Sequence, residues 1–301
     1  MAGGLPRTLR DEPPHRAGGS GGVSESLASR RRRALLFRDG RFVPGERAVP
    51  EEVAVAISVD GSTHAVMMAS PRDVEDLGLG LTLSERIVSH PREIERIEVV
   101  ETEAGLDCQI RLDPERGRTY VARRRQMTGP VGCGLCGVES LELAAPVLPV
   151  VRAEPRFDPA MLAEAMEAMA REQRLGRETR AVHAAGFFAP DRGLMVVRED
   201  VGRHNALDKV VGHLARNDVD SASGFVAITS RVSVELIQKT AVMGSALIVA
   251  VSAPTALAID EAERAGVTLV AVARGAEFEV FTHPRRLRGA VPAEEHASHA
   301  A

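Results

Sequence analysis

Two cysteines in one loop are the residues of this chain best suited to chemistry. Cys133 and Cys136 lie in the segment Thr128-Gly-Pro-Val-Gly-Cys-Gly-Leu-Cys-Gly137, where four glycines and a proline favour an exposed loop. The Cys-X-X-Cys spacing lets one sulfur stabilise the thiolate of the other, and arginines 123–125 add positive charge just upstream. Because the thiolate is the nucleophilic form, the loop predicts either dithiol redox chemistry or sulfur transfer through a persulfide.

Metal-based interpretations of the same loop fit less well. A structural zinc site takes four ligands, usually from two such pairs, and this chain has one pair. A zinc deaminase carries His-x-Glu ahead of Pro-Cys-x-x-Cys, but no His-x-Glu precedes the loop, and Pro130 stands three residues before Cys133. Thioredoxin-type enzymes place their pair at the start of a helix, unlike this glycine-flanked loop. We therefore expect no bound metal.

Composition narrows the class of protein. The 301 residues are 44% hydrophobic, which is enough for about two domains. A net charge of −4 and 3% aromatic residues argue against nucleic acid as the main partner. Three cysteines do not form a secreted disulfide framework, so we expect a cytoplasmic protein. No apolar run approaches the length of a membrane span, and residues 1–33 resemble a disordered leader more than a signal peptide.

The order of predicted elements indicates an α/β protein with two parts. Residues 34–145 predict a mixed α+β domain that ends in the cysteine loop: a hairpin turning at Asp60-Gly61, a helix after Ser70-Pro71, and two further strands. In residues 146–301, a helix begins at Asp158-Pro159, and strands then alternate with helices to residue 273. This alternation predicts a mixed sheet covered on both faces, with ligands at the carboxyl ends of its strands.

One polar motif stands at such a strand end: Glu199-Asp-Val-Gly-Arg-His-Asn-Ala-Leu-Asp-Lys209. Gly202 allows close approach of a ligand, and Arg203 and His204 suit a phosphate. Asp200 or Asp208 would accept hydrogen bonds from sugar hydroxyls or a guanine edge. An equally good interpretation of Asp208 and Lys209 is the solvated face of an amphipathic helix. His183, in an apolar strand, is expected to be a core imidazole.

Other loops at strand ends carry hydroxyls and cations. Ser230-Arg231 and Ser252-Ala-Pro-Thr255 each follow a predicted strand and begin a helix, where N–H groups favour anions. Ordinary N-caps would have the same sequence. Arg274-Gly275 follows the last predicted strand and adds a further cation suited to phosphate recognition.

Taken together, these motifs resemble one known family. Cys133-Gly-Leu-Cys136-Gly, the motif ending at Lys209, Ser230-Arg-Val-Ser, Val251-Ser-Ala-Pro-Thr255 and Phe281-Thr-His-Pro284 are similar to the FdhD family of formate dehydrogenase accessory proteins. The resemblance implies a cytoplasmic, homodimeric sulfur carrier with a cytidine deaminase-like, three-layer C-terminal domain. It would receive sulfur from a cysteine desulfurase and pass it to the bis-molybdopterin guanine dinucleotide molybdenum cofactor that formate dehydrogenase requires.

The resemblance also implies roles for individual residues. Cys133 matches the persulfide cysteine and Cys136 its partner. The family's cofactor-binding segment, for which GDP is an analogue, falls on Val272, Ala273, Arg274, Gly275, Ala276 and Glu277. A dithiol oxidoreductase and a guanine-dinucleotide-binding chaperone without sulfur chemistry remain the alternative functions.

Overall fold

The computed structural model describes residues 28–124 and 147–290. Its strands are β1 (Ser29–Arg38), β2 (Arg41–Pro50), β3 (Val53–Val59), β4 (Ser62–Ala69), β5 (Ile94–Thr102), β6 (Gly105–Leu112), β7 (His183–Ala189), β8 (Gly193–Asp200), β9 (Phe225–Ile228), β10 (Leu247–Ala250), β11 (Thr268–Arg274) and β12 (Glu277–Val280). Its helices are α1 (Val74–Ser84), α2 (Pro114–Arg124), α3 (Pro159–Glu172), α4 (Arg174–Thr179), α5 (Arg203–Arg216), α6 (Val234–Met243) and α7 (Ala256–Ala265). Cys133, Cys136 and the predicted boundary between residues 145 and 146 lie outside the described residues.

The first two strands form a hairpin that composition alone does not predict. β1 and β2 pair antiparallel over their full length and turn at Asp39-Gly40, where both residues have positive φ. Residues 29–33, which the sequence assigned to a disordered leader, therefore belong to a strand. The reason is local: Asp39-Gly40 is the same type of turn signal as Asp60-Gly61, and it closes a ladder in which Phe37 packs against Phe42.

A four-stranded sheet follows, in the order β4-β3-β6-β5. The predicted turn at Asp60-Gly61 joins β3 to β4, with both residues at positive φ. Helix α1 covers this sheet and contributes Leu77 and Leu81 to a core that includes the buried Cys108 of β6. The mixed α+β character expected for this half is thus confirmed.

The larger sheet has the order β12-β11-β10-β9-β7-β8. Its centre, β9-β10-β11, is parallel, while β7, β8 and β12 join antiparallel to their neighbours. Alternate residues face opposite sides: Val226 and Ile228 pack with α5, α6 and α7, whereas Phe225 and Ala227 pack with α3. The prediction of a mixed sheet covered on both faces is correct.

Two helices of this half end where the sequence predicts. Thr255 caps α7 by accepting a hydrogen bond from the N–H of Ala258, and Gly266 ends the same helix with φ of 70°. Gly244 ends α6 with φ of 83°, the left-handed conformation that glycine adopts most easily.

Within the described stretches, no helix combines the length and apolar character needed to cross a bilayer.

Helices α1 and α5 join the two halves of the molecule at very close range. A Cβ atom on Gly80 of α1 would lie 1.8 Å from the backbone oxygen of Asp208. On the other helix, a Cβ on Gly212 would lie 2.0 Å from the backbone oxygen of Asp76. Only residues without a side chain allow this crossing. Helix α5 is consequently sandwiched between the sheet and α1, and its residues 205–212 are all buried.

Candidate functional site

The sheet topology brings the predicted site loops to one edge. β9, β10 and β11 are parallel, and β8 has the same direction because it is antiparallel to β7, which is antiparallel to β9. All four strands therefore end at the same edge, and the loops after them start at Val201, Thr229, Val251 and Gly275. Such an edge is where open α/β sheets bind ligands.

Positive charge is concentrated at this edge around His204. Burial, together with the charges of Arg203, Lys239 and Arg231, lowers the pKa of His204 to about 4, although the opposing charge of Glu235 raises it. Burial and Arg203 also lower the pKa of His183, at the start of β7. The imidazole of His204 is therefore neutral near pH 7, and the surroundings favour an anionic ligand.

A carboxylate outside the residues predicted from sequence lies at the same place. Glu235 lies in the first turn of α6, with its Oε2 3.9 Å from His204 Nε2. Burial would raise the pKa of Glu235, but hydrogen bonds from the Ser233 hydroxyl and a backbone N–H, with the charge of Arg203, lower it overall, so the group is an ionised carboxylate. In sequence, an acidic residue in a first helical turn indicates only a favourable interaction with the helix dipole.

Two polar atoms of this cluster lack hydrogen bonds. Glu235 Oε2 and Arg203 Nε are buried and have no hydrogen-bond partner among the described residues. His204 Nε2 is 3.4 Å from Ser233 Oγ, at the long limit of a hydrogen bond. A buried polar atom without a partner costs about 1–3 kcal/mol, more when it is charged. The site thus holds one acceptor and one donor that a ligand would satisfy.

Asp200 has a structural role instead of the ligand-binding role predicted from sequence. Its side chain is fully buried, with Oδ2 accepting from Lys209 Nζ at 2.6 Å and from the Ser70 N–H at 3.1 Å. Its Oδ1 accepts from the N–H of Gly202 at 2.8 Å and from Asn205 Nδ2 at 3.0 Å. Because protein donors occupy both oxygens, Asp200 does not present an acceptor to a sugar or base. It instead fixes the loop that precedes Arg203.

Asp208 and Lys209 are buried, so the interpretation of a solvated helix face is wrong. Lys209 Nζ donates to Asp200 and to the backbone oxygen of Ser70. Burial raises the pKa of Asp208, and Lys239, at 2.8 Å, partly offsets that rise. The physical reason is that α5 packs against the sheet on one side and against α1 on the other. The helical periodicity of apolar residues does not reveal this burial, because Asp208 and Lys209 are both charged. Asp208 is also unavailable to a guanine edge.

The remaining predicted residues lie around this edge in different environments. Ser230 is buried, and its hydroxyl donates to the backbone oxygen of Arg231, whose side chain is exposed. Thr255 is an N-cap, the ordinary alternative considered above. Ser252 is half-buried, and its backbone oxygen accepts from the N–H of Val272 at 3.5 Å.

The segment that the family resemblance assigns to the cofactor is a bulge and a turn. The register between β11 and β12 shifts between Ala271 and Arg274, and Val272 has φ of 54°. An exposed turn follows at Gly275 and Ala276, after Arg274 and before Glu277. Bulges often redirect side chains beside binding sites, and this one lies at the carboxyl end of the parallel strands. Among the described residues, no group of three or more His, Cys, Asp or Glu side chains forms a metal site.

Comparisons with known proteins agree on one family. The family model described as FdhD/NarQ matches residues 50–288. A protein of Agrobacterium fabrum named sulfur carrier protein FdhD is 51% identical over 266 residues, which cover 88% of this chain and 98% of the relative. A protein of the same name from Brucella abortus is 47% identical, with 84% and 94% covered.

A solved structure supports the same fold. It is the crystal structure of a candidate formate dehydrogenase accessory protein from Desulfotalea psychrophila, with a TM-score of 0.69 and 24% identity, covering 86% of this chain and 99% of that one. The family match spans both sheets and every loop of the edge described above. This chain belongs to the FdhD/NarQ family.

Proposed function

We propose that this protein is a sulfur carrier for the maturation of formate dehydrogenase. Cys133 accepts sulfur from a cysteine desulfurase as a persulfide, and the sulfur passes to the bis-molybdopterin guanine dinucleotide molybdenum cofactor. The names of the relatives, sulfur carrier protein FdhD, support the carrier role. The protein acts in the cytoplasm as a homodimer, and the cofactor is its substrate rather than a resident group.

The observation that carries the proposal is the cationic edge of the larger sheet. The exposed Arg231 and the other cations around a neutral His204 lie where four strands end, so phosphates of a dinucleotide would meet positive charge there. The carboxylates of Asp200 and Asp208 are buried. Guanidinium groups bind phosphate through paired, charge-assisted hydrogen bonds. The bulged segment around Val272 supplies backbone at the same edge.

The sulfur-transfer step follows ordinary thiolate chemistry. The Cys133 thiolate attacks the outer sulfur of the desulfurase persulfide, a new S–S bond forms, and the desulfurase cysteine leaves as a thiolate with its electron pair. No external oxidant is needed, because a persulfide is consumed and a persulfide is formed. In this proposal Cys136 is a nearby thiol that assists the exchange.

Mass spectrometry tests the proposal and separates it from its alternatives. After incubation with a cysteine desulfurase and cysteine, the peptide containing Cys133 should gain about 32 Da, the mass of one sulfur. The Cys133→Ala variant should show no such gain and should fail to activate formate dehydrogenase. A Cys133–Cys136 disulfide as the sole product would indicate a dithiol oxidoreductase. Nucleotide binding without either modification would indicate a chaperone.

A further inference from the structure

We propose that Glu235 and Arg203 together recognise the guanine base of the bound cofactor. This inference rests on the proposed function, since it names the part of the cofactor that this edge would read. It gives a role in recognising the base to Glu235 of α6, which lies outside the sequence motifs of the site.

The carboxylates at this edge differ in whether they are free to accept a hydrogen bond. Asp200 and Asp208 are buried and engaged with Lys209 and Lys239. Glu235 is different, because its Oε2 has no hydrogen bond among the described residues while its Ser233 contact leaves that oxygen unused. The edge therefore offers the Glu235 carboxylate to a ligand that brings donors.

The same place offers a donor to a ligand acceptor. Arg203 Nε is buried without a hydrogen-bond partner in the described part of the chain. Arg203 directly precedes His204 in the chain, and His204 Nε2 lies 3.9 Å from Glu235 Oε2. The charge of Arg203 also lowers the pKa of Glu235. They make no ion pair with each other in the structure, so both retain hydrogen-bonding capacity. A matching ligand needs adjacent donors and acceptors on one rigid edge.

Guanine has this combination. Its N1–H and N2–H₂ groups are donors that suit one carboxylate, and its O6 and N7 are acceptors that suit an arginine. Adenine presents an acceptor at N1 and a donor at N6, so its N1 lone pair would repel the Glu235 carboxylate. Inosine keeps N1–H, O6 and N7 but lacks the N2 amine. It therefore tests directly whether the carboxylate accepts a hydrogen bond from that amine.

The position of Glu235 permits access. Its side chain is 23% exposed and that of His204 is 22% exposed, so the carboxylate lies just below the surface of the edge. Neutral His204, beside it, adds no positive charge that would compete for the carboxylate.

Calorimetric titration of the full-length protein with GDP, IDP and ADP tests this assignment. The wild-type protein should bind GDP about tenfold or more tightly than IDP, because a hydrogen bond to a charged group is lost, and should bind ADP more weakly still. Glu235→Gln should bring the GDP and IDP affinities within about twofold of each other, since the amide N–H₂ would face the N2 amine. Glu164→Gln, at an exposed position of α3, is the matched control.

Arg203→Gln provides the second half of the test. GDP and IDP share O6 and N7, so this variant should weaken both by a similar factor and keep their ratio. Wild-type discrimination between GDP and IDP in Glu235→Gln would overturn the inference while leaving the proposed function intact. Absence of GDP binding by the wild-type protein would overturn the proposed function and this inference with it.

Discussion

Lys209 Nζ lies 2.6 Å from Asp200 Oδ2, and neither side chain has any exposure to solvent. The pair connects α5 to the end of β8, and both partners also bond to the backbone of Ser70. Removing two charges from water is costly, and the further hydrogen bonds of the two groups to Ser70, Gly202 and Asn205 offset part of that cost. Its effect is to fix the loop before Arg203 against the smaller sheet.

Breaking this pair should destabilise the protein strongly. In Lys209→Met the Asp200 carboxylate stays buried without its cation, and we expect a loss of about 3–5 kcal/mol in the free energy of unfolding. Urea titration followed by circular dichroism measures the change. The control is Arg171→Met, which removes the exposed pair with Glu167 on α3 and should change stability by less than about 1 kcal/mol. Equal effects in the two variants would contradict a structural role for the buried pair.

The crossing of α1 and α5 leads to a prediction with an unusual sign. Replacing glycine by alanine within a helix normally stabilises it by about 1 kcal/mol. Gly80→Ala should do the opposite and cost about 2 kcal/mol or more, because the new methyl group would overlap the backbone of Asp208 and force the helices apart. Thermal unfolding of the variant and the wild type measures this. A raised melting temperature would show that the helices separate freely.

Sequence patterns predict the elements well and their contacts poorly. The turn at Asp60-Gly61, the cap at Thr255 and the stop at Gly266 were predictable because each depends on a few adjacent residues. The burial of Asp208 and Lys209 was not, since it depends on partners in α6 and before α1, far away in the chain.

The candidate site shows the same division. The edge that collects the strand-end loops follows from alternating strands and helices, whereas the role of Glu235 depends on which carboxylates already have partners. The sequence shows that a carboxylate is present, but it cannot show whether the carboxylate oxygens already accept hydrogen bonds from other residues. The hairpin of β1 and β2 was missed for a different reason, because its arginine-rich composition concealed the Asp39-Gly40 turn.

His204 should make the stability of the protein depend on pH. Its pKa is about 4 in the folded protein and near 6.5 in an unfolded chain, so between these values the unfolded state binds more protons. Stability is therefore lost as pH falls from about 6.5 toward 4. His204→Gln removes this contribution. Between about pH 7.5 and 5.5, urea unfolding of the variant should lose about 1 kcal/mol less than the wild type.

The comparison between variant and wild type is what isolates His204. The pKa values of His183 and His213 are lowered as well, both chiefly by burial, and they contribute to the acid sensitivity of both proteins. Parallel pH profiles for the two proteins would mean that His204 is protonated as easily in the folded state as in the unfolded chain.

Alkylation should separate the three cysteines and link the loop to the nucleotide site. Burial, with smaller contributions from Glu75 and Asp107, raises the pKa of Cys108 to about 12, so this thiol should resist iodoacetamide in the native protein and serve as an internal control. Cys133 and Cys136 should react, since their glycine-rich segment predicts exposure. If the carrier delivers sulfur to a cofactor at the sheet edge, saturating GDP should slow labelling of Cys133. Peptide mapping over time measures each rate, and equal Cys133 rates with and without GDP would contradict a connection between the loop and the edge.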